Sequence, residues 1–368
     1  MIPVNTPLLD GNEKKYLNEC IDTGWISSEG PFIKKFETEM AKYVGRKHAV
    51  AVSNGSVALD AAVVALNIGS GDEVILPTFT IISCGAAIVR AGATPVVVES
   101  DPKTFNIDIN QIEKKITTKT KAIMVVHIYG FPCDMDPILA LAQKYKLHII
   151  EDAAEMHGQE YKGKRCGSFG DISTFSFYPN KHVTTGEGGM ILTDDDKIAE
   201  RLRSLRNLCF KPEKRFLHDE LGWNLRMTNL QAAIGCAQLE RLDSFIDKKR
   251  WIGKTYTKEL SSITEFELLP EKVDYANNIY WVFPIVLKDN YELNAEEFCA
   301  KLGARGIGTR PFFWCMHEQP VFHKMNLFVG EKYPHAERIA RRGFYIPSGL
   351  GLTEQDLSIV CKTIKEVV

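Results

Sequence analysis

Ser173-Thr-Phe-Ser-Phe-Tyr-Pro-Asn-Lys-His-Val-Thr-Thr-Gly-Glu-Gly-Gly189 is the stretch from which the fold is best approached. It opens with a short β-type segment, sets Lys181 five residues after Ser176, and closes on a Gly-Glu-Gly-Gly turn. A surface lysine needs none of this. A lysine that must form a Schiff base with a phosphate-bearing aldehyde needs all of it: a rigid strand behind, a hydroxyl for the phosphate and a tight polar turn ahead. On this run alone an active-site lysine and an ordinary loop lysine stand as equal alternatives, and the flanking sequence has to decide.

From about residue 46 to residue 195, short apolar runs alternate with helical patterns. Strands are predicted at 48–52, 73–76, 94–98 and 121–126, with another at 147–150 that ends in Glu151-Asp152. Helices are predicted over 57–66, 83–90 and 135–144. β-Branched strands apolar on both faces, alternating with helices, indicate an α/β sandwich around a mostly parallel sheet. Ligands of such sheets bind at the carboxyl ends of the strands, so residues just after strands are the ones to search. Near Asn229 the pattern becomes one long helix with an apolar stripe at Leu230, Ile234, Leu239, Leu242 and Ile246. That helix is expected to pass the chain from a large lobe, residues 1–247, to a small α+β lobe, residues 248–368. A strand at 280–287, a helix at 295–302 and a terminal helix after Thr353-Glu-Gln-Asp are expected there. The 368 residues exceed what one small core usually holds, which agrees with two lobes.

Lys+Arg number 45 and Asp+Glu 47, so the net charge of −2 gives no reason to expect nucleic acid or an acidic membrane as partner. The opening Met1-Ile-Pro-Val-Asn-Thr-Pro lacks the basic and apolar parts of a signal peptide, and no apolar run reaches the ~20 residues of a membrane span. Nine scattered cysteines without a Cys-x-x-Cys pair suggest reduced thiols and a cytoplasmic protein. His317 and His323 lie six apart without a partner cluster, so no metal site is expected. No Gly-x-Ser-x-Gly occurs to support serine hydrolysis.

Four segments could carry chemistry. Ser53-Asn-Gly-Ser56 follows a strand and opens a helix, so it is either an anion cradle or a plain helix cap. Asp152, at a strand end before Ala153-Ala-Glu155, could keep a pyridine nitrogen protonated so that the ring draws electrons; otherwise it is a capping carboxylate. Ser176 and Lys181 would then supply a phosphate ligand and the amine that holds pyridoxal phosphate (PLP) and shuttles protons. Arg310-Pro-Phe-Phe-Trp-Cys-Met-His317 mixes a cation with aromatics, suited to a phosphate and a base or sugar, or else to packing in the second lobe.

These pieces in this order resemble the DegT/DnrJ/EryC1/StrS sugar aminotransferases of the fold-type I PLP enzymes, across nearly the whole chain. The carrying segments are Gly24-Trp-Ile-Ser-Ser-Glu-Gly30, Ser53-Asn-Gly-Ser-Val-Ala-Leu59, Gly71-Asp-Glu-Val-Ile-Leu-Pro-Thr-Phe-Thr80, His127-Ile-Tyr-Gly130, Glu151-Asp-Ala-Ala-Glu155, Gly167-Ser-Phe-Gly-Asp171, the lysine run, and Asn224-Leu-Arg-Met-Thr-Asn229. The resemblance implies an aspartate aminotransferase-like three-layer sandwich. It implies Lys181 as Schiff-base lysine, Asp152 at the pyridine nitrogen, and Gly55, Ser56 and Ser176 at the phosphate. Glu155 would sit beside the PLP hydroxyl, and Asn224 would reach the phosphate of the partner subunit in a homodimer. The N-terminal segment 1–30 would contribute to the site, with Trp25, Arg310 and His317 as candidates for holding the nucleotide-sugar. Members usually carry a ring-stacking aromatic where this chain has Ile81, which leaves Phe79 or an aliphatic contact to cover the cofactor.

Some relatives are dehydratases with histidine in place of the lysine, whereas this chain keeps Lys181 and carries His182 only beside it. The runs Gly-Trp-Ile-Ser-Ser, His-Ile-Tyr-Gly and Thr-Arg-Pro-Phe-Phe are similar to the branch that aminates C4 of GDP-linked 4-keto-6-deoxyhexoses. That implies transfer from L-glutamate, by way of pyridoxamine phosphate, to GDP-4-keto-6-deoxymannose, giving GDP-perosamine for surface polysaccharide. Amination at C3 or C4 of a dTDP- or UDP-linked ketosugar, sugar dehydration, or an idle sugar-nucleotide sensor are the alternatives.

Overall fold

The structure is a computed structural model that describes residues 1–211 and 213–368. The predicted strands and the run before Lys181 join Gly189–Thr193, which was not expected as a strand, in a seven-stranded sheet. Its order in space is His48–Val52, Gly189–Thr193, Ile172–Ser176, His148–Asp152, Thr120–Val126, Glu73–Pro77, Thr94–Val98. Gly189–Thr193 runs antiparallel to both neighbours, and the remaining pairs are parallel. Six strands therefore present their carboxyl ends at one edge, and the reversed strand presents its beginning there.

The strands read as unbroken apolar runs because both faces of the sheet are covered, and alternate residues feed two different cores. Val74, Leu76, Met124 and Ile150 pack on one face with the helices Gly55–Ala65, Ile82–Arg90 and Asp196–Arg206. Ile75, Ile123, Val125 and Ile149 pack on the other with Pro31–Val44, Met135–Tyr145 and Asn229–Leu239. Each such side chain stabilises the fold by about 1.5–3 kcal/mol through burial.

The C-terminal part carries a four-stranded antiparallel sheet, ordered Phe266–Leu268, Phe283–Leu287, Gly343–Ile346, Arg310–Pro311. A third core joins it to Leu242–Leu260, Ala295–Ala304 and Glu354–Val367 through Tyr256, Phe298, Phe344 and Ile364. The last helix starts at a Thr353–Asp356 capping box, which the Thr-Glu-Gln-Asp pattern predicts.

Two boundaries differ from expectation. The long helix is two, Asn229–Leu239 and Leu242–Leu260, and the joint has a physical cause. Glu240 accepts hydrogen bonds from Asn12 and Tyr16, and Arg241 pairs with Asp10, so the N-terminal segment holds both joint residues. The strand expected from residue 280 begins at Phe283, because Tyr280 sits at φ +53° with its N–H donated to Asn278 Oδ1. The lobe boundary expected at 247 falls inside Leu242–Leu260, whose Leu242 and Ile246 join a large-sheet core while Ile252 and Tyr256 join the small-sheet core. No described helix is long and apolar enough to cross a membrane.

Candidate active site

A cavity of about 550 Å³ opens at the carboxyl edge of the large sheet, a size suited to a small organic ligand. Its floor begins where His48–Val52 turns into Gly55–Ala65. The Asn54 side chain caps that helix by accepting the Val57 N–H at 3.0 Å, and Asn54 O accepts the Ala58 N–H. The amides of Gly55 and Ser56 are left without a partner among the described residues, as an anion site requires. Gly55 has to be glycine: a Cβ there would lie 2.7 Å from the Cβ of Ser176 and 3.0 Å from its Oγ. The space that Cβ would fill is the cradle. Ser56 Oγ adds a hydroxyl, 2.8 Å from Ser83 Oγ, and the buried Thr174 Oγ1 has no partner among the described residues.

Asp152 ends its strand beside Thr174 of the next strand, buried. Its Oδ1 accepts the Ala154 N–H at 3.1 Å and its Oδ2 accepts the Cys84 thiol at 3.3 Å, which fixes the carboxylate plane. Glu155 follows on the turn and accepts the Tyr129 N–H at 2.8 Å. Its other oxygen lies 3.8 Å from the amine of Lys181, in a pair with side chains 11% and 9% exposed. Lys181 sits in the loop between the neighbouring strands Ile172–Ser176 and Gly189–Thr193, and its N–H donates to Tyr178 O.

Burial sets the protonation here. It draws the Lys181 amine below the ordinary lysine range, opposed by Glu155 and Asp152. It raises Glu155 to about 7, opposed by the charge of Lys181 and the Tyr129 N–H, and it raises Asp152 as well. An amine with a lowered pKa beside a carboxyl near neutrality can give and take a proton at physiological pH.

The remaining walls come from the small sheet and its loops: Trp281, Arg310, Phe313 and Tyr345. The Trp281 ring centroid lies 3.9 Å from Lys181 Nζ. Of the residues singled out from the sequence, Gly55, Ser56, Asp152, Glu155, Ser176, Lys181 and Arg310 share this one cavity.

Four do not. Phe79 is fully buried against Tyr129, Phe312 and Phe313, and the half-exposed Ile81 takes its place on the cavity wall. His317 is buried with both ring nitrogens engaged, Nδ1 with Thr78 Oγ1 at 2.7 Å and Nε2 with Glu337 at 3.0 Å, so it has no atom left for a sugar. Trp25 is outside the cavity and half exposed; its carbonyl accepts from the buried Asn229 amide, and Gly30 lies so close to that amide that a Cβ would clash. Asn224 is exposed and bridges to Asn207, away from this chain's cavity.

The N-terminal segment does touch the lysine turn, where Asn5 donates to Pro179 O at 2.8 Å. Trp281, Tyr345 and Ser83 were not singled out from the sequence. Ser83 was within reach of the rule that ligands meet strand ends, since it follows Glu73–Pro77. Trp281 and Tyr345 carry no local signal.

His127, Glu151 and Cys166 cluster within 4.8 Å. Glu151, however, is spent on the Gly167 and Phe169 amides, and His127 Nδ1 accepts the Cys133 N–H, so its Nε2–H donates to Glu151. The cluster is a closed hydrogen-bonded knot.

A mostly parallel sheet with a buried amine, two buried carboxyls and an anion cradle at its carboxyl edge defines an α/β enzyme of the kind that works on amines with a phosphate-bearing carbonyl cofactor. The DegT/DnrJ/EryC1/StrS aminotransferase family matches residues 7–365, and the chain belongs to it. It is 43% identical to the GDP-perosamine synthase of Caulobacter vibrioides, over 100% of this chain and 98% of that one. It is 44% identical to that of Escherichia coli O157:H7, over 99% and 98%. The crystal structure of DesV from S. venezuelae superposes with a TM-score of 0.89 at 34% identity, covering 96% of this chain and 94% of that one. The chain is thus a sugar aminotransferase, and membership implies dependence on PLP. The residues present suit that group: a cradle shaped by Gly55, hydroxyls at Ser56 and Ser176, a buried carboxylate at Asp152 and a buried amine at Lys181.

Proposed function

We propose that this enzyme transfers the amino group of L-glutamate to C4 of GDP-4-keto-6-deoxymannose, forming GDP-perosamine. The observation that carries the proposal is the meeting, in one cavity, of the Lys181 amine with Asp152, Glu155 and the Gly55–Ser56–Ser176 cradle. The sugar and its nucleotide are supported by the identity of 43–44% to GDP-perosamine synthases over nearly the full length.

When bound, PLP would supply an aldehyde carbon that takes up an amino group and a pyridine ring that draws electrons from the bond being broken. The amides of Gly55 and Ser56 and the hydroxyls of Ser56 and Ser176 would hold its phosphate, and Lys181 its aldehyde carbon. Asp152, locked by the Ala154 amide and the Cys84 thiol, would hold a proton on the ring nitrogen. Lys181 Nζ would carry the proton from the α-carbon of glutamate and later return it to C4 of the sugar, so the face it occupies sets the stereochemistry. Glu155, 3.8 Å away, would hold that proton in transit. Trp281 and Phe313 would exclude water, and Arg310, exposed at the rim, would grip the diphosphate.

In this reading the active form is a cytoplasmic homodimer. Asn224, exposed and away from its own chain's cavity, would reach the phosphate held by the other subunit.

The test is mass spectrometry on the PLP-loaded protein with L-glutamate and a panel of nucleotide-linked 4-keto-6-deoxyhexoses. Expected is a GDP-sugar whose C=O has become CH–NH2, with one 2-oxoglutarate per turnover. Product from a dTDP- or UDP-linked sugar instead would overturn the nucleotide. Ammonia release without net use of glutamate would overturn transfer in favour of dehydration.

A further inference from the structure

Lys249 lies at the seam of the two sheets, on Leu242–Leu260 between the turns that join the large core and those that join the small one. Its side chain is 1% exposed and has no carboxylate partner among the described residues. Its Nζ donates instead to two backbone carbonyls, Trp281 O at 2.8 Å and Ser348 O at 2.6 Å. Burying an ammonium without a counter-ion is costly, and burial pushes this amine down to about 7, with the charge of Lys181 acting in the same direction. An apolar side chain would fill the space at lower cost. What the lysine adds is a grip on two carbonyls.

Both carbonyls matter to the cavity. The indole of Trp281 lies over Lys181 Nζ, its N–H donates to Asn180 O at 2.9 Å, and its ring stacks on Tyr129. Ser348 accepts the Phe283 N–H and donates to Ile346 O, tying the start of one small-sheet strand to the end of its neighbour. One amine thus joins the residue that covers Lys181 to the frame that carries Tyr345.

We infer that Lys249 is a positioning residue for the transfer reaction: through the backbone of Trp281 it fixes the indole over the Lys181 amine and keeps water from it. The inference rests on the reading of Lys181 as the reacting amine. The charged or titratable groups around that amine are Glu155, Asp152, His157, His182 and Lys249. Only Lys249 is bonded to the residue that covers it.

The test compares Lys249→Met, which deletes both donors, with Lys249→Gln, which keeps donors without charge. Transfer kinetics are measured on the loaded enzyme. Competitive acetic anhydride labelling of Lys181 in the cofactor-free protein, mapped by mass spectrometry across pH, reads the amine directly. Lys249→Met is expected to lower kcat by about 10- to 100-fold. KM for the nucleotide-sugar should stay within about 3-fold. The labelling midpoint should rise by about one pH unit as water reaches the ammonium form. Lys249→Gln should restore most of kcat. Trp281→Leu should move the midpoint the same way, and adding Lys249→Met to it should cost nothing further.

A folded Lys249→Met with an unmoved midpoint and kcat within about 2-fold of the parent would overturn the inference. If that variant does not fold, Lys249→Gln and Trp281→Leu decide, and an unmoved midpoint in Trp281→Leu overturns it. Lys181→Ala separates the two readings. Transfer at the parent rate in Lys181→Ala sinks the role of Lys181 itself, whereas loss there with normal kinetics in Lys249→Met sinks only this inference.

Discussion

The carboxyl edge of the large sheet and the small antiparallel sheet contribute to one cavity in different ways. The large sheet offers groups fixed by local chemistry: a helix start, a strand-end carboxylate, and a lysine in a loop with strands on either side. The small sheet and its loops offer Trp281, Arg310 and Tyr345; Trp281 and Tyr345 pack into the core that holds Val74 and Leu76, while Phe283 and Phe344 beside them are anchored in the third core. The first group suits the chemistry common to every substrate. The second suits the choice of substrate and the exclusion of water.

That division can be broken by experiment. Lys181→Ala should cost about 10⁴-fold in kcat, since it removes both the anchoring amine and the proton carrier; a loss of only a few-fold would end the distinction. Arg310→Lys should raise KM for the nucleotide-sugar by about 10-fold and leave kcat nearly untouched, because an ammonium cannot grip a diphosphate with a planar fork. An equal fall in kcat would move Arg310 into the first group.

Glu155 should give the wild-type rate an inflection near pH 7, where burial has placed its carboxyl. Below that pH the carboxyl is neutral and cannot take up the proton from Lys181, so the rate rises as pH climbs through it. Glu155→Gln should lie flat at the acid-side level, and a persisting inflection would assign it to another group. The smallest kinetic effect belongs to His317→Ala. Thermal unfolding should show a loss of about 1–3 kcal/mol from the orphaned Thr78 and Glu337, with KM unchanged. A KM that rises with the loss would restore His317 to the sugar site.

Legibility in the sequence follows the same line. The parallel strands were readable because buried parallel strands are apolar on both faces, and the edge because cradle, carboxylate and lysine each follow a strand within a few residues; the reversed strand Gly189–Thr193 was not read. Trp281 was not, since its role depends on Lys249 and Asn180, 32 and 101 residues away. His317 looked like a ligand because a histidine among aromatics offers no hint that Thr78 and Glu337 will take both its nitrogens. Phe79 looked like a ring cover by position alone, but it turns into the aromatic core and leaves the cavity wall to Ile81.

The single reversed strand has a mechanical consequence. Because Gly189–Thr193 runs back beside Ile172–Ser176, the loop bearing Lys181 starts and ends on adjacent rungs of one sheet, and between them Asn5 and Trp281 hold the Pro179 and Asn180 carbonyls while His157 accepts the Val183 N–H. The backbone is a fixed fulcrum, and any travel of the amine between cofactor, donor and sugar must come from rotation about the four-carbon stem. The enzyme works as a crane with a stationary base, and the length of one side chain bounds the working radius of its chemistry.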